Sequence, residues 1–181
     1  NLIIIGIKDS TLFTVANLNA WNKLASDFKT YKEVETVVSI KDLQKLVKNQ
    51  EKQQFDLIPF IKDSIRSEKE ILILQSELFE QYPFYDNFLF NKNSKAVRSA
   101  IYLDKSIVNT TARKDFITDV LIPKVEQFET ATNLDVRISG MPYIRTLNSQ
   151  NIIDEIGKFI VAALGVTSLI FFFFFRSFRA T

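Results

Sequence analysis

The chain of 181 residues has no cysteine and no histidine. Without cysteine, this stretch forms no disulfide and offers no thiolate, although that absence does not fix a compartment. Without histidine it lacks the commonest general base near neutral pH and the commonest metal ligand. Glycine is scarce, at four residues, and none of them builds a P-loop or a dinucleotide-binding turn. There is no Gly-x-Ser-x-Gly elbow, and the acidic residues are scattered without a recognisable catalytic pair. Enzymatic chemistry therefore has little support, and no catalytic residue, cofactor or metal is assigned. Neither sign of charge is in excess: 23 Lys and Arg stand against 21 Asp and Glu, a net +2. No polybasic stripe occurs, so the electrostatic footprint of a nucleic-acid binder is missing.

What the chain does have is one long uncharged run. From Phe159 to Phe175 there are seventeen residues without a charge, ending in five consecutive phenylalanines. As a helix the run spans about 26 Å, slightly short of a hydrocarbon core of about 30 Å. Lys158 can snorkel at one end, and Ile152, Ile153 and Ile156 extend the apolar character upstream. Arg176 and Arg179 close the other end. A core helix of a water-soluble domain is the alternative, but nothing upstream is long enough to bury five phenylalanines on all sides of a helix. The segment is therefore read as a transmembrane helix within residues 148–181. Lys158, Arg176 and Arg179 mark its boundaries. Asp154 and Glu155 lie just before the span and the two arginines just after it, which places the C-terminal end in the cytoplasm by the positive-inside rule. Residues 1–147 are then extracytoplasmic. The chain opens in an apolar run without Met, and both ends are read as cuts from a longer protein.

The pattern of residues 1–147 predicts one mixed domain. Leu2–Ile7 is apolar and β-branched, a buried strand. Val15, Leu18, Trp21, Leu24 and Phe28 fall on one helical face. Val34–Ile40 is a second strand, with Val34, Val37 and Val38 toward the core. From Lys41 to Lys62 no single assignment stands: Asp42–Val47 suits a short helix, Lys48–Gln54 an exposed loop or helix surface, and Pro59 interrupts the remainder. Ser64–Gln81 is a helix that ends before Pro83. Tyr82–Phe90 is aromatic-rich, and Asn91–Ser94 reads as a turn. Ala96–Leu103 is a strand. Asn109–Thr111 offers an N-cap to a third helix, which Pro123 interrupts. Leu134–Ser139 is the last strand, Gly140–Pro142 a break, and the membrane helix starts near Asn148. The order β-α-β, helix, β-α-β is that of an α+β, ferredoxin-like split βαβ domain, with a generic α/β layer of other strand order as the alternative.

Three local patterns carry a family resemblance. Asp9-Ser-Thr-Leu12-Phe13 follows an apolar strand. Gly140-Met-Pro142-Tyr143 stands between a strand and a membrane helix. Phe175-Arg-Ser-Phe-Arg179 ends that helix. In this order and spacing they resemble a porter domain and second transmembrane helix of the resistance-nodulation-division (RND) superfamily, in its MMPL-like and Patched-like branch. The resemblance implies a proton-driven exporter of lipids or other hydrophobic or amphiphilic molecules, in the cell inner membrane, with residues 1–147 on the periplasmic side. It implies as partners the lipid bilayer, the remaining transmembrane bundle, a second porter domain and a homo-oligomer. The family's energy-coupling acidic residues belong to a central helix outside this sequence, so no proton-relay residue is assigned. Two other readings stay open: a membrane-anchored sensor or interaction domain, and a protein-translocation accessory subunit of the same superfamily.

The candidate substrate or lipid contacts are Tyr82, Phe84, Tyr85, Phe88 and Phe90, for which ordinary core filling is the competing and favoured account. Gly140, Pro142 and Tyr143 are the candidate domain–membrane junction, where a glycine permits positive φ or close approach. Lys45, Lys48 and Lys52 read as a solvated helix face before they read as a headgroup site. Gly157 and Gly165 share a helix face and would admit a neighbouring helix.

Overall fold

The computed structural model describes residues 1–49, 54–61, 64–81 and 85–175. Residues 1–143 form one compact unit and residues 144–181 a second. Among the described residues the elements are β1 (Leu2–Ile7), α1 (Val15–Phe28), β2 (Val34–Val38), β3 (Gln44–Asn49), β4 (Gln54–Pro59), α2 (Glu68–Ser76), β5 (Val97–Leu103), α3 (Thr111–Asp115), α4 (Ile122–Thr132), β6 (Val136–Ser139) and α5 (Met141–Phe175). The protein is thus mixed α/β.

The first unit is organised by an antiparallel sheet in the order β2-β5-β1-β6. Every second residue of β1 points to one face, as the strand period requires, and Ile3, Ile5 and Ile7 are at most 1% exposed. Cross-strand register continues that face: Ile3 opposes Ile101, Ile7 opposes Val97, and Ile5 and Ile7 oppose Ile138 and Val136 on the other side. In β2, Val37 opposes Ile101. The helices close the core over these residues. Trp21 of α1 meets Phe128 of α4 edge-to-face at 5.7 Å, and Phe28 meets Phe116 at 6.4 Å.

Helix α1 starts where Thr14 accepts the N–H of Asn17, as an N-cap does. Of the face expected from spacing, Leu18, Trp21, Leu24 and Phe28 are buried and Val15 is partly so. Just before it, the Asp9 carboxylate accepts both the N–H and the hydroxyl of Thr11, each at 2.8 Å, and fixes the tight turn that buries Leu12 and Phe13. Pro123 does not break the third helical stretch. A wide turn, Phe116–Leu121, with i→i+5 bonding precedes it and carries the helix on into α4. Such a turn accommodates the missing N–H of a proline.

The stretch after β2 corrects the sequence reading. Gln44–Asn49 and Gln54–Pro59 are neither helix nor loop but paired antiparallel strands, a two-stranded sheet of their own. Leu46 and Val47 are adjacent apolar residues, as are Leu57 and Ile58. Both strand faces therefore carry apolar side chains, and the alternation that announces a strand is lost. Lys45 and Lys48 accordingly lie on a strand, not a helix face, and Lys52 is outside the described residues.

Helix α5 begins at Met141, directly after β6, and not near Asn148. Pro142 is accommodated in its first turn, where a backbone N–H would have no partner anyway. The helix runs 35 residues, and every residue from 151 to 174 is exposed. Among the described residues it is the one helix long and apolar enough to cross a membrane.

Candidate functional site

The chain that leaves β4 is fastened to α1 before α2 begins. Asn19 donates to the carbonyl of Ile65 at 2.7 Å and accepts its N–H at 2.9 Å, a reciprocal pair across 46 residues. Ser67 then caps α2 by accepting the N–H of Glu70. Glu70 reaches back to accept the N–H of Arg66 at 3.0 Å. Helix α2 lies beside the β3–β4 hairpin, with an open groove of about 600 Å³ between them.

Ile58, Ile61, Ile65, Ile73 and Leu74 give the groove an apolar lining. Its charged residues are Lys45, Glu77, Arg66 and Glu70. The Lys45 ammonium donates to both Glu77 carboxylate oxygens, at 2.6 and 2.8 Å, and lies 5.6 Å from the Phe60 ring centre. Both side chains of the pair are about four-fifths covered, at 22% and 20% exposure. A groove of this size, apolar inside with a few fixed charges, has the composition of a small-molecule site.

Among the described residues three carboxyls lie below their ordinary value, and all three are turn caps away from the groove. Asp9 is lowered by the N–H and then the hydroxyl of Thr11. Asp104 is lowered by the hydroxyl and then the N–H of Ser106. At Asp42, partial burial pushes upward, but hydrogen bonds from Lys29 and from the hydroxyl and N–H of Ser39 outweigh it. Among the described residues no group of three or more acidic side chains is placed to hold a metal ion.

Of the aromatic segment, the described rings Tyr85, Phe88 and Phe90 do not line the groove. Phe90 is 1% exposed and packs edge-to-face on Phe79 at 5.5 Å, which in turn meets Phe13 at 5.6 Å. Tyr85 packs against the core, and its hydroxyl donates to the Gln44 carbonyl at 3.4 Å. Phe88 is 53% exposed. Tyr82 and Phe84 lie outside the described residues. Of the segment, then, one ring fills the core, one edges it and one faces solvent.

At the junction, Gly140 has φ +124°, and a Cβ there would stand 2.3 Å from the Leu2 carbonyl oxygen and 3.0 Å from Ile3 Cα. Only glycine fits both the backbone angle and the approach to β1. Tyr143 packs against the core of the first unit, and Pro142 is buried. Lys158 is exposed on α5. Arg176 and Arg179 lie outside the described residues. Around Gly157 and Gly165 nothing lies within 4 Å of a built Cβ.

Part of the lining, Lys45, Ile58, Pro59, Phe60 and Ile61, falls in the stretch that gave no clear period; the rest, from Ser64 to Glu77, falls in the expected helical stretch, whose place beside the hairpin no local pattern announces. The two strands left little signal, since Gln44–Asn49 and Gln54–Pro59 hold only Val47, Phe55 and Ile58 as strand-favouring residues. Comparison with protein-family models gives no match, and comparison with curated protein sequences gives none.

Proposed function

We propose that this chain is a porter domain and transmembrane helix of an RND-type exporter, driven by a proton gradient and acting on lipids or other hydrophobic or amphiphilic molecules. One observation carries the reading: an antiparallel sheet leads through Gly140 into a long helix whose stretch from Phe159 to Phe175 carries no charge. The strand order β2-β5-β1-β6, with α1 joining β1 to β2 and α3–α4 joining β5 to β6, supports a ferredoxin-like fold. A strand lies between the two members of each βαβ unit, as that arrangement requires. The uncharged stretch of α5 supports insertion in a bilayer, since a helix apolar all round needs lipid or a large core about it. The flanking charges favour an extracytoplasmic, periplasmic domain.

In this reading the groove between the hairpin and α2 is where the domain encloses the apolar part of a substrate, beside the Lys45–Glu77 ion pair. Alternating access in the membrane bundle would open and close that path. The domain does no bond-making chemistry. Its partners are the bilayer, the rest of the bundle, a second porter domain and further copies of the chain.

The test is transport by the full-length protein in vesicles under an imposed proton gradient, with a fluorescent phospholipid as probe. The expected result is gradient-dependent lipid movement that an uncoupler abolishes, reduced when Ile58→Glu puts a charge into the groove. Lipid movement indifferent to the gradient, or none, would leave an anchored sensor or interaction domain as the better account.

A further inference from the structure

The β3–β4 hairpin is set in the core at its two roots. Leu43 and Ile61, which flank it, are 3% and 6% exposed. At the base the Phe60 N–H donates to the Leu43 carbonyl at 3.0 Å. The turn that leads in is fixed as well: the hydroxyl and N–H of Ser39 donate to the Asp42 carboxylate at 2.8 and 2.9 Å, and Lys29 pairs with it. Between the roots the picture changes. None of residues 44–49 and 54–59 is buried, and Leu46, Phe55 and Leu57 are 62%, 66% and 63% exposed. A two-stranded hairpin is marginal in water by itself. A segment with few buried apolar contacts opens at low free energy. The hairpin's place over the groove therefore depends on what ties it to α2.

Among the described residues one ion pair makes that tie, Lys45 with Glu77, and it is mostly covered, so salt screens it little. Glu77 opens a wide turn, Glu77–Gln81, with i→i+5 bonding directly after α2. Such turns recur at functional sites. Lys45 and Ile58 are cross-strand neighbours, and both line the groove together with Leu74. Whatever fixes Lys45 therefore also fixes Ile58. We propose that the hairpin is a hinged arm over the groove and that the Lys45–Glu77 pair is its latch. With the pair made, the arm lies along α2 and shields Leu74, which is 5% exposed. With the pair broken, the arm swings about Leu43 and Ile61 and opens the groove. The latch goes beyond the transport reading and does not depend on it, since any ligand of the groove meets the same arm.

The test is the rate at which a maleimide labels Leu74→Cys in the full-length protein in its membrane. These 181 residues hold no other thiol, and cysteines elsewhere in the protein are replaced by serine. Glu77→Gln should raise the rate about tenfold, the effect of losing one charge-assisted contact. Exchanging the two charges, Lys45→Glu with Glu77→Lys, should return it to the parent rate. Ala25→Cys, 1% exposed on α1 and outside the groove lining, reports unfolding of the whole domain and should stay slow in every background. Three results would overturn the proposal. One is a Leu74→Cys rate that Glu77→Gln leaves unchanged. Another is equal acceleration at Ala25→Cys, which makes the pair a brace of the whole fold. The third is a charge-exchanged variant as fast as Glu77→Gln, which means that attraction between the two groups does not hold the arm. Labelling reads the arm without transport, so a failure of gradient-driven lipid movement would leave the latch standing.

Discussion

The central sheet and the β3–β4 hairpin are built from the same kinds of residue and live in opposite surroundings. In β1, three isoleucines are sealed between neighbouring strands and the helices that close the core. In the hairpin, two leucines and a phenylalanine stand nearly two-thirds exposed. Side-chain chemistry alone therefore does not decide whether a strand is core. What decides is whether the chain supplies a layer to cover it. The first unit supplies α1 and α4 for the sheet and only one side of a groove for the hairpin, so the hairpin's outer face is left in water.

The sharpest way to break this contrast is at the glycine that holds the sheet to the start of α5. Gly140→Ala drives a Cβ into the Leu2 carbonyl at a φ that alanine resists, and should cost more than about 3 kcal/mol. Urea unfolding of the detergent-solubilised chain reads that loss, and an alanine variant of wild-type stability would mean that β1 and the turn are not so closely packed. Next comes the matched pair. Ile5→Ala empties a sealed site and should cost about 2–5 kcal/mol. Leu57→Ala removes a side chain that is already mostly wet, and the isolated chain should change by no more than about 0.5 kcal/mol. Equal costs would erase the distinction between the two regions.

A smaller effect tests the same core from its polar side. Asn22 is 4% exposed and neither atom of its amide has a hydrogen-bond partner among the described residues. Asn22→Leu replaces an unsatisfied polar group by an apolar one of similar volume, and a gain of about 1 kcal/mol is expected. A loss of that size would mean that the amide is satisfied in solution. The smallest effect is acidic. The carboxyl of Asp42 is held below its ordinary value of 3.8, so its contribution is complete above that value and disappears as pH falls through the lower folded value. Asp42→Asn should flatten the fall of stability with pH below about 4. An unchanged slope would show that the Lys29 and Ser39 bonds do not survive in solution.

Much of this architecture was legible in the residues. The face of α1 is read from spacing, β1 from a β-branched run, β5 from alternation, and the long apolar helix from seventeen uncharged residues. The hairpin was not legible, because Leu46–Val47 and Leu57–Ile58 put apolar groups on both faces and cancel the period of two. The start of α5 was misplaced because Pro142 looks like a break, whereas a first helical turn tolerates proline. The groove was invisible for a further reason: it is made by a tertiary pairing, Asn19 with Ile65, that no local pattern announces. Of the aromatic segment, the packing of Phe90 agrees with ordinary core filling, and the exposure of Phe88 follows from its place beside a turn.

The claim on which the account rests is that α5 crosses a bilayer with residues 1–147 outside the cytoplasm. Cysteines at Lys48 and at Arg179, in separate variants of the full-length protein, test it by labelling of intact spheroplasts with a membrane-impermeant maleimide. The account predicts that Lys48→Cys is labelled at once and Arg179→Cys only after the membrane is permeabilised. Labelling of both positions in intact spheroplasts, the reverse order, or release of the protein by carbonate washing would contradict it.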